Sequence, residues 1–590
     1  KKVTLIPHGT HLVEHIDKVS AKAKYDLVGK NVLATFGLLS EGKNIETTLA
    51  AMPAIIASHP ETMFLVIGKT HPTVVKQSGE AYRARLEQLV ETLGIGEHVR
   101  FVNRFLPLGE LLEYLQMADV YLFTSKDPHQ AVSGTFSYAI SCGCPVISTP
   151  IPHAREVLGA DAGIIIGFEA PQQLADAAIS LLSDANMAQN LRANGLHKMA
   201  STAWENAAIA YGNLFQQIAR GNFNLHYAIP AVRLDHVQKM TTPFGMIQFS
   251  KVNQPDLDSG YTLDDNARAL IALCQQYELT RDAAVLPTMA TYVKFIQYCL
   301  QDEGYFLNYV NERREFTPQN KLTNLADSNG RAIWALGYLI SIRGCLPEEC
   351  IGLVNEAEAM MDKAALRLRN MHSTRAMAFA IKGLYYRNCH APHADHLAQI
   401  RELANRLVQM YRHEASPEWL WFESYLTYAN GCLPEALLCA GLATGDPIYM
   451  EIAKSSFDFL LGKTLSGNRI RVISNQNWLQ RGDANDVSDK DNHRNGGEQP
   501  IDVAYTIFAL AKFAEAFPDE NYLSKMEIAF DWFLGNNHLH QIIYNPCTGG
   551  CYDGLEADHV NLNQGAESTL SYLMARLTVE KARQKQCCRV

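Results

Sequence analysis

Val32-Leu-Ala-Thr-Phe-Gly-Leu-Leu-Ser-Glu-Gly-Lys43 reads as a buried strand, a glycine turn and a lysine at the start of a helix. Its apolar residues run together instead of alternating, as in a strand covered on both faces. Outward from it, strand-length apolar runs recur at 63–68, 99–105, 120–124, 146–149 and 163–168. Helical periods fill the gaps at 44–58, 81–93, 108–117, 134–141, 171–183 and 187–199. Strand and helix alternating at this spacing predict a parallel sheet covered on both faces, in an α/β domain over residues 1–222. Ligands of such sheets sit at the carboxyl ends of the strands. Val3-Thr-Leu-Ile6 reads as one more apolar strand.

Past residue 222 the pattern changes to helices. Periodic stretches at 263–277, 284–300, 330–342, 353–368, 375–386, 397–411, 434–442, 448–461, 501–517, 522–534 and 566–578 make eleven, with Asp235–Met240 a twelfth. Twelve paired helices over residues 223–590 match a closed ring of six inner and six outer helices, an all-α (α/α)6 toroid. An open solenoid would show a fixed repeat, and none recurs. The loops between helices are rich in Trp, Asp and Gly, which suits a loop-lined mouth.

Composition narrows the classes. A chain of 590 residues exceeds the roughly 250–300 that one core supports, so more than one domain is expected. It is 47% hydrophobic and 19% charged with a net charge of −10, which excludes a disordered or fibrous chain. The acidic excess leaves no footprint for nucleic acid. No apolar run reaches the roughly 20 residues of a membrane span. Thirteen cysteines, an odd number thinly spread, suit reduced thiols, and with no signal peptide in view they point to the cytoplasm. Cys142 with Cys144, and Cys547 with Cys551, lack the matching second pair of a zinc site, and Cys587-Cys-Arg-Val590 reads as a solvated tail. No metal or cofactor is expected, and nothing fixes an oligomeric state.

In the first domain a glycine turn with one cation at a helix start, Gly37 and Lys43, suits a diphosphate. Gln130-Ala-Val-Ser-Gly-Thr135 offers a second contact, because Ser133 and Gly134 open a helix whose first amides face the strand ends. Capping by Ser133 explains the same residues structurally.

In the second domain carboxylates recur where loops become helices. They are the adjacent pair Asp264 and Asp265, then Asp327, Glu423, Glu498 and Glu567. Inner helices of a toroid would bring them to one cavity, where paired carboxyls cleave glycosidic bonds. Helix capping and dipole compensation account equally for Asp264, Asp265 and Asp327. Trp419, Trp421 and Trp478 fall in loops and are candidate platforms for sugar rings, whereas Trp334 and Trp532, inside helices, read as core. The acidic stretch Asp483–Asp491 lacks the glycine and distal glutamate of a calcium loop and reads as a solvated lid.

The first domain resembles retaining GT-B glycosyltransferases of family 4. The resemblance rests on Ile6-Pro-His-Gly9, Phe36-Gly-Leu-Leu39 with Lys43, Gly68-Lys-Thr-His-Pro72, Ser133-Gly-Thr135 and Ser148-Thr-Pro150, in that order. It covers about residues 1–220 and corresponds to the second, Rossmann-like half of that fold. It implies a nucleotide-sugar donor held by Gly37, Lys43, Gln130, Ser133, Gly134 and Thr135, and transfer of a hexose with retention. Leu38 stands where the family carries an arginine, and Gln130 and Tyr138 stand where it often carries glutamates. The second domain resembles the helical domain that follows a family 4 module in some bacterial proteins, and the toroids of glycoside hydrolases, polysaccharide lyases and sugar epimerases. Tyr261–Arg268, Asp327–Trp334, Trp421-Phe-Glu423 and Gln564–Leu570 carry that likeness, which implies an oligosaccharide in the cavity.

Three readings stay open. The chain is a glycosyltransferase using a nucleotide sugar, or a hydrolase or phosphorylase acting through the toroid's carboxylates, or a glycan-binding module on a degenerate transferase scaffold.

Overall fold

The computed structural model describes residues 3–219, 225–482 and 496–587. The acidic stretch at 483–491 and the last three residues of the tail lie outside them. The chain divides into two compact units, Lys1–Phe223 and Asn224–Val590.

The first unit holds six parallel strands: β1 (Asn31–Phe36), β2 (Thr62–Ile67), β3 (Val99–Val102), β4 (Val120–Phe123), β5 (Val146–Ser148) and β6 (Ile164–Ile165). Their spatial order is β3-β2-β1-β4-β5-β6, a doubly wound Rossmann-like sheet whose direction of progression reverses between β1 and β4. Alternate residues feed two cores. Val32, Ala34, Leu65 and Tyr121 pack on one face; Leu33, Phe64, Val66 and Leu122 pack on the other. Two helices frame the reversal point, α1 (Ile45–Ser58) and α2 (Gly134–Ser141).

Val3–Ile6 is not a strand. It has no ladder partner, and Val3 and Leu5 are 89% and 80% exposed. An apolar tetrad becomes a strand only where a sheet edge takes its backbone groups. Pairing starts instead at Thr10, whose amide donates to the Thr202 carbonyl at 2.8 Å.

The second unit is a closed helical ring. Beside the one-turn helix Gln319–Leu322, its helices in chain order among the described residues are α3 (Asp235–Met240), α4 (Leu263–Thr280), α5 (Leu286–Cys299), α6 (Ala326–Ser341), α7 (Ile351–Ala365), α8 (Thr374–His390), α9 (Ala394–Glu414), α10 (Cys432–Thr444), α11 (Pro447–Thr464), α12 (Pro500–Ala516), α13 (Tyr522–Phe530) and α14 (Ala566–Cys587). Among them α4, α6, α8, α10, α12 and α14 form the inner wall, each packed on the next, and α14 returns to α4. The others pack outside, α5 on α4, α7 on α6, α9 on α8, α11 on α10, α13 on α12 and α3 on α14. This is the (α/α)6 toroid. Inner helices bury residues all round, as Asp265–Cys274 of α4 and Arg331–Ile340 of α6 do, because they face both the ring's interior and its outer layer.

The closest helix contact is between α6 and α8. A Cβ on Gly337 would lie 2.1 Å from the Gly383 carbonyl oxygen, and one on Gly383 would lie 2.3 Å from that of Ile333. Only glycine fits at either position. Short ribbons precede several inner helices: Tyr261–Thr262 pairs with Tyr309–Val310 before α4, and Gly554–Leu555 with Val560–Asn561 before α14. They gather loops at the end of the ring where the inner helices begin.

Candidate functional site

In the first unit the carboxyl ends of β1 and β4 flank the reversal point. Gly37 follows β1 with φ of +133°, and a Cβ there would stand 3.2 Å from Lys43 Nζ and 3.4 Å from Thr135 Cγ2. Gly37, Lys43 and Thr135 therefore converge. The Thr124 hydroxyl donates to the Lys43 carbonyl at 2.8 Å, tying the lysine's backbone to the end of β4. The ammonium lies 5.5 Å from the centre of the Phe123 ring. Among the described residues it makes no ion pair and no hydrogen bond, and burial pulls its pKa below the usual lysine value. A partly desolvated cation without a partner favours an anion.

Ser133 caps α2, its hydroxyl accepting the Phe136 amide at 3.4 Å, so the structural role read for it holds. The Ser133 amide donates to His153 Nδ1 at 3.1 Å. Nothing lies within 4 Å of where a Cβ on Gly134 would be, so the helix start is open there. The Gln130 carboxamide is held within its own loop, accepting from the Ser125 hydroxyl at 2.8 Å and donating to the Val132 carbonyl at 3.3 Å. Tyr138 stacks on His11 at 5.9 Å.

In the ring, the acids near the starts of the inner helices gather in a network of separate clusters, on the buried Arg268 and Arg331 and on Arg375 with Tyr428. Arg268 donates to Asp265 at 2.9 Å and to Glu567 at 2.7 Å. Arg331 pairs with Asp264 and reaches the Tyr505 hydroxyl at 3.4 Å. Arg375 contacts Glu423 at 3.1 Å and the Tyr428 carbonyl at 2.7 Å. Asp327 accepts from the Ser373 hydroxyl at 2.6 Å and from the Tyr428 hydroxyl. The cap of α4 is Thr262, not Asp264: its hydroxyl oxygen accepts the Asp265 amide. Asp265 is pushed up to about 6, by burial first, with Arg268 opposing.

Glu498 stands apart from this network. It is buried, with one carboxylate oxygen accepting the Trp532 indole N–H at 2.9 Å and the other 3.1 Å from His538 Nδ1. A carboxylate with both oxygens engaged in the packing is a brace. Glu567 is more open than Asp264, Asp265, Glu423 or Glu498, its side chain 43% exposed.

Two of the three loop tryptophans lie in the core. Trp421 is fully buried, edge-on to Phe422, and Trp419 is buried against Phe459 with its N–H on the Glu423 carbonyl. Neither offers a face to a sugar, because the loop that holds them folds into the core between α9 and α11. Trp478 is 49% exposed and stacks on Tyr425 at 5.3 Å. Trp334 and Trp532 are core residues, as read from the sequence.

Asp502 is a site residue the sequence reading passed over. It lies in the first turn of α12, buried, and accepts the Ala429 amide at 2.6 Å. Burial pushes it up to about 7, with Glu567 adding to the rise. Asp553, on the amide of Gly565, is raised to about 6 by the same burial and the same Glu567. The signal for the network was present as arginines following acids in inner-helix first turns, Asp264–Arg268 and Asp327–Arg331. Among the described residues no group of three or more His, Cys, Asp or Glu side chains could hold a metal ion, and no helix is long and apolar enough to cross a membrane.

Residues 17–198 match the family model described as glycosyl transferases group 1. The chain is similar to spore coat protein SA of Bacillus subtilis (strain 168), at 28% identity over 174 residues, 29% of this chain and 44% of that protein. It is also similar to D-inositol 3-phosphate glycosyltransferase of Corynebacterium urealyticum, at 28% over 188 residues, 32% of this chain and 43% of that protein. The chain thus spans less than half the length of either relative. A crystal structure of D-mannose isomerase superposes with a TM-score of 0.44 at 15% identity, over 59% of this chain and 94% of that one. A likeness at that level says nothing about chemistry. The match to the group 1 glycosyltransferase model falls wholly within the first unit.

Proposed function

We propose that the first unit binds a nucleotide sugar and that the chain transfers its hexose to a saccharide acceptor with retention. One observation carries the reading: Lys43, a partly buried cation with no ion-pair or hydrogen-bond partner among the described residues, at the carboxyl edge of β1 and β4. The donor's diphosphate would lie against Lys43 and the open first turn of α2. As the bond from the sugar to the diphosphate breaks, negative charge grows on the departing phosphate. A fixed cation in a partly desolvated cleft stabilises that charge at no cost in reorganisation. Attack from the same face as departure would keep the anomeric configuration. Leu38, where the family carries a second cation, leaves Lys43 with the larger share of this work. The group 1 match over residues 17–198 supports the donor class. That all described cysteines are free thiols supports a cytoplasmic location.

Calorimetry on the full chain with UDP, GDP and ADP tests this. Heat from one of them that Lys43→Ala abolishes and Lys43→Arg partly keeps is the expected result. Silence from all three overturns the donor site.

A second reading concerns the ring, where Glu567 lies open beside three carboxyls that burial holds near neutral pH in their titration, Asp265, Asp502 and Asp553. An open carboxylate beside buried carboxyls raised toward neutral pH is the equipment of glycosidic bond cleavage, by hydrolysis or phosphorolysis. Release of sugar from mixed oligosaccharides, with or without phosphate, that Glu567→Gln removes supports it. Unchanged release in that variant counts against it.

A further inference from the structure

The ring has two ends, and the acids occupy one of them. At the other, where α4, α6, α8, α12 and α14 finish, lies a hollow of about 200 Å³. Between hollow and acids sits a buried layer. Trp334 stacks on Phe379 at 5.8 Å with an interplanar angle of 2°, and Tyr505 lies 6.0 Å from Trp334 and 5.6 Å from Phe379. Lys382, fully buried, holds its ammonium 3.6 Å from the Trp334 ring centre and donates to Glu435 at 2.8 Å. Trp334 and Glu435 reach through this layer to line the hollow.

Charge in the hollow does not cancel. Lys512 donates to Glu515 at 3.0 Å, and Lys585 pairs with the same carboxylate. Lys581 pairs with Glu278 at 2.7 Å. With the Lys382–Glu435 pair included, Lys382, Lys512, Lys581 and Lys585 meet Glu278, Glu435 and Glu515 among the described residues, which leaves one positive charge in excess among them. The wall is aromatic beside the Lys512 ammonium, which lies 5.7 Å from the Tyr386 ring centre. Tyr338 and Tyr386 sit 4.7 Å apart, and Phe508 completes that side. Gln275, Thr578 and Gln586 also line it.

We propose that this hollow binds a monosaccharide carrying one oxyanion group, a carboxylate or a phosphate, with the oxyanion on Lys512 and the ring against Tyr386 and Phe508. A free inorganic ion would leave the aromatic wall uncovered, and a neutral sugar would leave the excess charge unanswered. The volume is below the roughly 300–1,000 Å³ of pockets for drug-sized ligands, so one ring is the limit. This site shares no residue with the donor site of the first unit or with the acids at the ring's other end.

Calorimetry on the full chain with glucuronate, glucose 6-phosphate, glucose and inorganic phosphate tests it. One anionic sugar should bind one-to-one, at least about tenfold tighter than glucose or phosphate, as expected from a charge-assisted contact of roughly 1.5–3 kcal/mol. Lys512→Met should weaken it by at least about tenfold on the same argument. Ala582→Trp, which fills the hollow from its rim, should abolish it and carries the test if the Lys512 variant melts early. Lys43→Ala should leave the affinity unchanged. Silence from all four probes, equal binding of phosphate or glucose, heat that survives Ala582→Trp, or heat lost in Lys43→Ala would each overturn the proposal. Its failure leaves the nucleotide result untouched, because no nucleoside diphosphate is among these probes.

Discussion

Asp502 accepts the backbone amide of Ala429 at 2.6 Å across 73 positions of sequence, and Ala429 takes a left-handed φ of +51° to present it. A non-glycine residue held there is strained, and such strain persists only where surrounding contacts hold it. The bond fixes the loop before α10 against the first turn of α12.

That carboxyl titrates within the fold. Burial pushes Asp502 up to about 7, so the folded chain holds a proton that the unfolded chain releases near 4. Stability from this group is therefore present at low pH and lost as pH rises from about 4 to 7. Asp502→Asn keeps the acceptor for Ala429 and removes the titration. Its stability relative to the parent should grow by about 2–3 kcal/mol between pH 5 and pH 8, read from denaturant melts. Parallel curves across that range would show that Asp502 titrates normally.

Lys43 costs stability where it stands. Replacing a desolvated ammonium that makes no ion pair among the described residues by an apolar chain of similar length removes that cost. Lys43→Met should raise the stability of the ligand-free chain by about 1 kcal/mol while abolishing nucleotide heat, the trade expected at a functional site. A Lys43→Met variant that melts earlier than the parent would mean the lysine serves packing.

The α6–α8 contact leaves no room for a methyl group at Gly383 or Gly337. Gly383→Ala forces the two helices apart, an overpacking that costs typically about 1–3 kcal/mol or more. In an exposed helix the same change would stabilise by up to about 1 kcal/mol. Urea melts of the variant give the sign, and a gain in stability would contradict the close approach.

Lys382 and Glu435 form a fully buried ion pair. Lys382→Met alone strands a carboxylate and should cost about 3–5 kcal/mol. The double change Lys382→Met with Glu435→Leu should recover most of that loss, since a hydrophobic pair of similar volume is often neutral or better. If the double variant is as unstable as the single one, the layer depends on the charges for something other than their pairing.

Much of the fold is legible because its signals are local. The uninterrupted apolar run of β1, the Gly37 turn and the helical period after Asn44 each sit within a few residues of one another. The same holds for the inner helices of the ring, whose apolar stretches stand out from polar, Trp-rich loops. Local reading failed where the outcome depended on a distant partner. Val3–Ile6 has the composition of a strand but no edge to join. Trp419 and Trp421 sit in a loop, yet the loop enters the core, so position in the chain misjudged exposure. Glu498 looks like its fellow acids in sequence and differs from them only because Trp532 and His538 close over it.

From sequence alone came the two-part order of the chain, the parallel sheet, the twelve helices and the glycine turn that brings a lysine to the end of a strand. Ring closure decided the rest. Arg268 and Glu567 are 299 positions apart and meet at 2.7 Å because α14 returns to α4. Periodicity specifies which side of a helix is apolar, but a carboxyl's partner, its burial and hence its proton are fixed only when helices from distant parts of the chain close around it.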